Sequence, residues 1–186
     1  MERAAASLLG IRAYGVHING YTTAPDGTQQ LWVAKRSKLK PTFPGKLDHL
    51  VAGGLPAGIP PMECVIKECG EEASIPPELA RMSRPVGIIT YNANYQGCCK
   101  RDVLFCYDLE LPVDFEPVPD DGEVECFERY DVDRLMRCIS NGGVQDELRG
   151  GDHRLAGAAR VLVAGGAWVR TAGQVHSAVV LAGEDK

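Results

Sequence analysis

None of the seven cysteines of this chain forms a Cys-x-x-Cys pair, and no histidine completes a zinc-ligand spacing beside any of them. That absence removes structural zinc from consideration. The scattered, odd set (Cys64, Cys69, Cys98, Cys99, Cys106, Cys126, Cys138) reads as free thiols of a reducing compartment. A bilayer-spanning segment is missing too, because the longest apolar stretch, Leu155 to Val169, is broken by Arg160 and falls short of the roughly 18–20 residues required. The first ten residues lack a secretory apolar run, and the early acid Glu2 argues against an organellar leader. The expectation is therefore a cytoplasmic protein. Basic excess is also absent. A net charge of −5 leaves no footprint for a nucleic acid polymer or an anionic membrane surface. Any anionic substrate must then be met locally, through cations.

What is present suits one folded domain: 186 residues, 45% apolar and 24% charged. Tyr14–Tyr21 and Leu31–Arg36 read as strands flanking an Asp-Gly turn. A basic, proline-punctuated loop from Ser37 to Lys46 leads into a strand at Leu47–Ala52 and the Gly53-Gly54 turn. A helix is expected from Pro61 to Ala73, started by proline at its first turn and stopped before Pro76-Pro77. A short helical piece follows. Pro85–Tyr91 and Asp102–Leu111 read as paired strands joined by a polar loop, Asn92–Arg101. Glu123–Tyr130 alternates like a half-buried strand, and Asp131–Ile139 is expected to be a helix. After Ser140 the composition shifts to Gly, Ala and Arg. The expected organisation is a stub at 1–12, a domain at 13–140 and a Gly/Ala-rich segment of uncertain structure at 141–186.

On the Pro61–Ala73 helix, Met62, Ile66, Cys69 and Ala73 make an apolar stripe expected to face the core. On another side Glu68, Glu71 and Glu72 stand at i, i+3 and i+4. Like charges at that spacing destabilise a helix by about 0.2–0.5 kcal/mol per pair. A solvated acidic face is the ordinary explanation. A bound divalent cation is the other, because Mg²⁺ or Mn²⁺ takes carboxylate oxygens and shares its shell with substrate phosphates. Lys35 and Arg36, ending a strand aimed at this helix, are candidates for a substrate phosphate. His17 and His49 read as core histidines.

The strand, Gly-Gly turn, loop and acidic helix together resemble a Nudix box, G-x5-E-x7-R-E-U-x-E-E-x-G-U with U aliphatic. Gly53 takes the first glycine, Lys67-Glu68 the Arg-Glu pair, Glu71-Glu72 the paired acids and Ile75 the last apolar position. Ile59, Lys67 and Ser74 depart from the pattern. Five segments (Gly15–Tyr21, Leu31–Ser37, Asp48–Gly58, Tyr107–Pro112 and Asp121–Glu125) are similar to the thiamine pyrophosphokinase-related branch of Nudix hydrolases, whose members usually carry a further domain before this part.

The resemblance implies an α/β fold, an α/β/α sandwich with a mixed sheet. It implies a Mg²⁺ or Mn²⁺ site at Glu68, Glu71 and Glu72, with Glu68, Glu72 and Glu123 as catalytic candidates. Lys35, Arg36, Gly53 and Gly54 are then substrate-binding, and the substrate is expected between the box helix and the Asn92–Arg101 loop. The implied activity is hydrolysis of an organic diphosphate to monophosphate and phosphate, the substrates being damaged thiamine diphosphates (oxothiamine or oxythiamine diphosphate) or oxidised nucleoside diphosphates such as 8-oxo-dGDP. A Nudix-fold module that binds a ligand without turnover is the alternative motivated by the three departures. A broad pyrophosphohydrolase acting on nucleotide sugars or dinucleotides is a third reading. Oligomeric state stays open, and a monomer is compatible with all of them.

Overall fold

A computed structural model describes residues 5–41, 43–95 and 98–140; the expected Gly/Ala-rich segment lies outside them. The chain order is β1 (Arg12–Thr23), β2 (Gln29–Arg36), β3 (Leu47–Asp48), β4 (Val51–Gly54), α1 (Pro61–Ala73), α2 (Pro77–Ala80), β5 (Arg84–Tyr95), β6 (Cys98–Glu110), β7 (Val124–Tyr130) and α3 (Val132–Ser140). All seven strands join one mixed sheet. Parallel pairing of β1 with β6, from Arg12↔Arg101 to Tyr21↔Glu110, forms its centre, and β5 extends it antiparallel to β6.

The other edge of β1 is shared. Its later residues pair with β2 from Gly20↔Trp32 to Thr23↔Gln29, and its earlier ones with β4 from Gly15↔Gly54 to Ile18↔Val51. β2 divides in the same way, pairing first with β1 and then with β3 at Ala34↔Asp48 and Lys35↔Leu47, while β7 covers its opposite edge. The two strands thus fork, and residues 47–54 fill the fork. That is why the single strand expected at Leu47–Ala52 is two: its halves belong to different partners, with His49 and Leu50 at the break.

Leu50 is fully buried at this break and leans over Gly20, where a Cβ would fall 2.2 Å from its Cδ2 and 3.1 Å from its Cγ. Only the absence of a side chain at Gly20 lets the fork close.

Alternation along β2 sends Trp32 to one face, and Leu31 and Val33 to the other. Trp32 joins Val16, Ile18, Val51, Val65 and Cys69 in the core under α1. Leu31 and Val33 join Tyr21, Leu47, Tyr130 and Leu135 of α3 in a second cluster. Helices therefore cover both faces, as an α/β/α sandwich requires. Of the expected polar loop, residues 92–95 and 98–101 instead continue the hairpin, with pairs from Asn92↔Arg101 to Tyr95↔Cys98, and residues 96–97 lie outside the described ones. The segment's polar composition reads as a loop, but ladder hydrogen bonds do not depend on side-chain polarity.

Gly20→Ala is expected to lower stability by about 1–3 kcal/mol through overpacking on Leu50. Gly87→Ala, where a Cβ meets nothing within 4 Å, should change it little. Urea unfolding of the two variants compares them directly.

Candidate functional site

Helix α1 begins at Pro61 behind an extended Pro60 and ends where Ser74 turns left-handed at φ 51°, its N–H and that of Ile75 reaching back to Gly70 and Cys69 carbonyls. Ser74 is the position where the box pattern has glycine. Its hydroxyl donates to the Val118 carbonyl at 3.0 Å, which offsets part of the left-handed strain. The buried seam of α1 is Cys64, Val65, Cys69, Glu72 and Ala73, whereas Met62 and Ile66 are only partly buried. Relative to the expected stripe the helix is rotated, and the rotation carries Glu72 into the protein.

Glu72 is 7% exposed. Its Oε2 accepts the Ala52 N–H of β4 at 3.0 Å. Burial pushes its carboxyl up to about 8; the Ala52 hydrogen bond works the other way, and the nearby charges of Asp48, Glu68 and Asp121 add to the rise. One carboxylate oxygen from each of Glu72, Asp121 and Glu123 lies within 4.8 Å of the other two. Asp121 and Glu123 arrive from the approach to β7. There Gly122 takes φ 79°, and the Asp121 carboxylate accepts the Glu123 N–H at 2.7 Å, turning two acids to one side.

The three box acids have different surroundings. Glu68 lies over Gly53: a Cβ there would fall 2.2 Å from its Cδ and 2.5 Å from its Oε2. Burial raises the Glu68 carboxyl, Lys67 opposes the rise, and Glu71 and Glu123 reinforce it. Glu71 is exposed and ion-paired with Lys67, whose ammonium also stands 3.4 Å from Glu68. Glu71 is therefore not among the three acids that converge. Gly53 seats Glu68, and the Gly54 carbonyl accepts the Cys64 thiol at 3.5 Å.

Ala34, Arg36, Asp48, His49, Ala52, Glu72, Glu123 and Val124 line a cleft at the fork. None of these lining residues comes from the Asn92–Arg101 segment. A bulge between Lys35 and Arg36 separates these neighbours. Arg36 reaches Asp48 at 2.8 Å on the cleft wall, and Lys35 pairs outward with Glu125 at 2.8 Å. Asp48 is buried, which alone would raise its carboxyl. The hydrogen bond from His49 and the positive charge around it outweigh that, and the carboxyl drops to about 2. At neutral pH Asp48 is ionised and faces the Arg36 guanidinium as a charged pair. His17 lies against His49 with ring centroids 4.2 Å apart and ring planes tilted by 44°, and burial followed by the His49 charge lowers it to about 3, so it is neutral.

Sequence reasoning did not single out Asp121, naming it only as the start of the Asp121–Glu125 segment. The Asp121-Gly122-Glu123 spacing carries the usable signal, since a positive-φ glycine between two acids brings them onto one side.

Comparisons with known proteins identify the family. The NUDIX domain family model matches residues 15–147. The chain is 50% identical over 139 residues to "Nudix hydrolase 24, chloroplastic" of Arabidopsis thaliana, covering 75% of this chain and 38% of the relative. It is 53% identical over 139 residues to "Nudix hydrolase 20, chloroplastic" of the same plant, covering 75% and 37%. The chain thus spans well under half the length of these curated relatives. Among solved structures, DR0079 from Deinococcus radiodurans aligns with a TM-score of 0.56 at 21% identity, covering 72% of this chain and 75% of that one. The NUDIX domain of Shewanella oneidensis NrtR, complexed with ADP ribose, aligns at 0.55 with 14% identity, covering 74% and 88%. These two likenesses concern the fold.

The raised Glu72 carboxyl has a consequence for folding. Between its ordinary 4.5 and about 8 the folded chain holds a proton that the unfolded chain has released, so stability falls as pH rises through that window. In EDTA, the denaturant midpoint should decline from about pH 5 to pH 8, and Glu72→Gln should flatten the slope.

Proposed function

The chain belongs to the NUDIX domain family, and from that premise we propose that it hydrolyses organic diphosphates with a divalent cation, Mg²⁺ or Mn²⁺, held by Glu72, Asp121 and Glu123. The observation that carries this reading is the convergence of those carboxylates, from two distant parts of the chain, around a buried acid. The donor set fits such an ion: hard carboxylate oxygens only, with Glu72 already oriented by the Ala52 N–H. A bound divalent ion supplies charge stabilisation for phosphate oxygens and activation of the attacking water.

The protein groups do the remaining work. Arg36, fixed by Asp48, presents a planar cation on the cleft wall for a phosphate oxygen. Water attacks phosphorus as the bridging P–O bond breaks, and the products are the organic monophosphate and phosphate. With Glu72, Asp121 and Glu123 committed to the ion, Glu68 is the carboxylate left to take the water's proton. Burial raises its affinity for one, and Gly53 leaves room for it. Glu71, tied to Lys67, keeps the helix surface neutral.

For the substrate, we infer damaged thiamine diphosphates or oxidised nucleoside diphosphates such as 8-oxo-dGDP, with the chain in the thiamine pyrophosphokinase-related branch. Two of the segments that carry that resemblance, Leu31–Ser37 and Asp48–Gly58, supply five of the residues that wall the cleft (Ala34, Arg36, Asp48, His49 and Ala52).

Phosphate release from oxothiamine diphosphate, oxythiamine diphosphate and 8-oxo-dGDP, with Mg²⁺ or Mn²⁺, tests the reading. Turnover of at least one compound is expected, falling roughly a hundredfold or more in Glu72→Gln. Glu68→Gln should lower kcat by a similar order while leaving Mn²⁺ affinity nearly intact. Absence of metal-dependent turnover on every diphosphate would leave a ligand-binding module as the better account.

A further inference from the structure

One cation is already engaged with the acids of this site. The Lys40 ammonium pairs with the Glu123 carboxylate, and the lysine side chain is 20% exposed. Its position is set by backbone hydrogen bonds rather than by the length of a free side chain. The Lys40 N–H donates to the Ser37 carbonyl at 3.1 Å, and the Ser37 N–H donates to the Glu123 carbonyl at 2.9 Å. Where the loop returns, the Gly45 N–H donates to the Arg36 carbonyl at 3.1 Å, and the Arg36 N–H donates to the Lys46 carbonyl at 2.9 Å. The loop base is thereby fastened to the start of β7, with Lys40 above Glu123.

In the ion pairs of the described residues, three other basic side chains near the cleft meet acids outside the converging trio. Arg36 is paired with Asp48, Lys35 with Glu125, and Lys67 with Glu68 and Glu71. Lys40 differs because its partner is one of the three acids that converge.

We propose that Lys40 is a charge-exchange residue: it neutralises Glu123 in the ion-free protein, yields that carboxylate to the divalent cation, and then binds a phosphate oxygen of the diphosphate. This rests on the cation reading given above. An ammonium and a divalent ion compete for the same oxygens, and the divalent ion gains more from several carboxylates at once. Once Glu123 is committed to the ion, the displaced ammonium stands beside an entering diphosphate, a stronger partner than a lone carboxylate. Lys40 then weakens the ion in the empty protein and strengthens the diphosphate in the loaded one. By linkage, it makes ion and diphosphate bind cooperatively.

Calorimetric titration of the full chain with Mn²⁺ alone, and then with methylenediphosphonate at saturating Mn²⁺, tests this in wild type, Lys40→Met and Lys38→Met. Lys40→Met should bind Mn²⁺ alone roughly three- to tenfold more tightly and methylenediphosphonate about tenfold more weakly. Lys38→Met, on the same loop, should move neither. A lysine that only orders the loop would, when removed, weaken both steps. Unchanged or weaker Mn²⁺ uptake by Lys40→Met overturns the proposal, and so does unchanged methylenediphosphonate affinity. If wild type takes up no Mn²⁺ at all, the cation reading falls and the exchange falls with it, a result distinct from the first two.

Discussion

Everything at this site depends on one partly buried hydrogen bond, the Ala52 N–H of β4 donating to the Glu72 carboxylate of α1. It fixes the rotation of α1 on the sheet, and that rotation decides which acids face the cleft and which face water. Burying a carboxylate is unfavourable unless charge or donors compensate. One backbone donor compensates only in part, since the Glu72 carboxyl still rises to about 8. The structure tolerates that residual cost where Asp121 and Glu123 also gather, and a fold held together by packing alone would have no reason to collect acids there.

Beside this acidic pole stands a second buried network of opposite character. Arg36, Asp48, His49 and His17 run through the cleft wall, each in contact with the next. Asp48 is held ionised and His17 neutral, and the network offers a fixed guanidinium to the cleft. Positive charge is supplied by residues with rigid partners, and negative charge by residues crowded together. The asymmetry suits a ligand that brings both a metal ion and phosphate.

Local signals in the chain were reliable where one element decides the outcome. The bounds of α1 follow from Pro60-Pro61 and Pro76-Pro77, and the two-faced sheet follows from the alternation of Leu31, Trp32 and Val33. Features created by meetings between elements were not legible. The break at His49 and Leu50 exists because β1 and β2 diverge, and no periodicity in residues 47–52 encodes that divergence. The bulge that separates Lys35 from Arg36 is a property of the β2–β7 pairing. Glu68, Glu71 and Glu72 look equivalent by helical spacing, yet the sheet buries one, seats another over Gly53 and leaves the third to Lys67. Asp121 escaped because the buried acid it joins, Glu72, belongs to a different element distant in the chain.

The edge position of β7 carries a consequence for dynamics. Among the described strands it is hydrogen-bonded to β2 alone, and Asp121 and Glu123 hang from its first turn. Fraying of a sheet margin is the cheapest local opening such a fold has. Here it would strip two of three oxygen donors at once while the helical acid stayed in place. An ion bridging the margin to α1 would act as a clasp, slowing amide exchange along β7 far more than along the central β1–β6 pair.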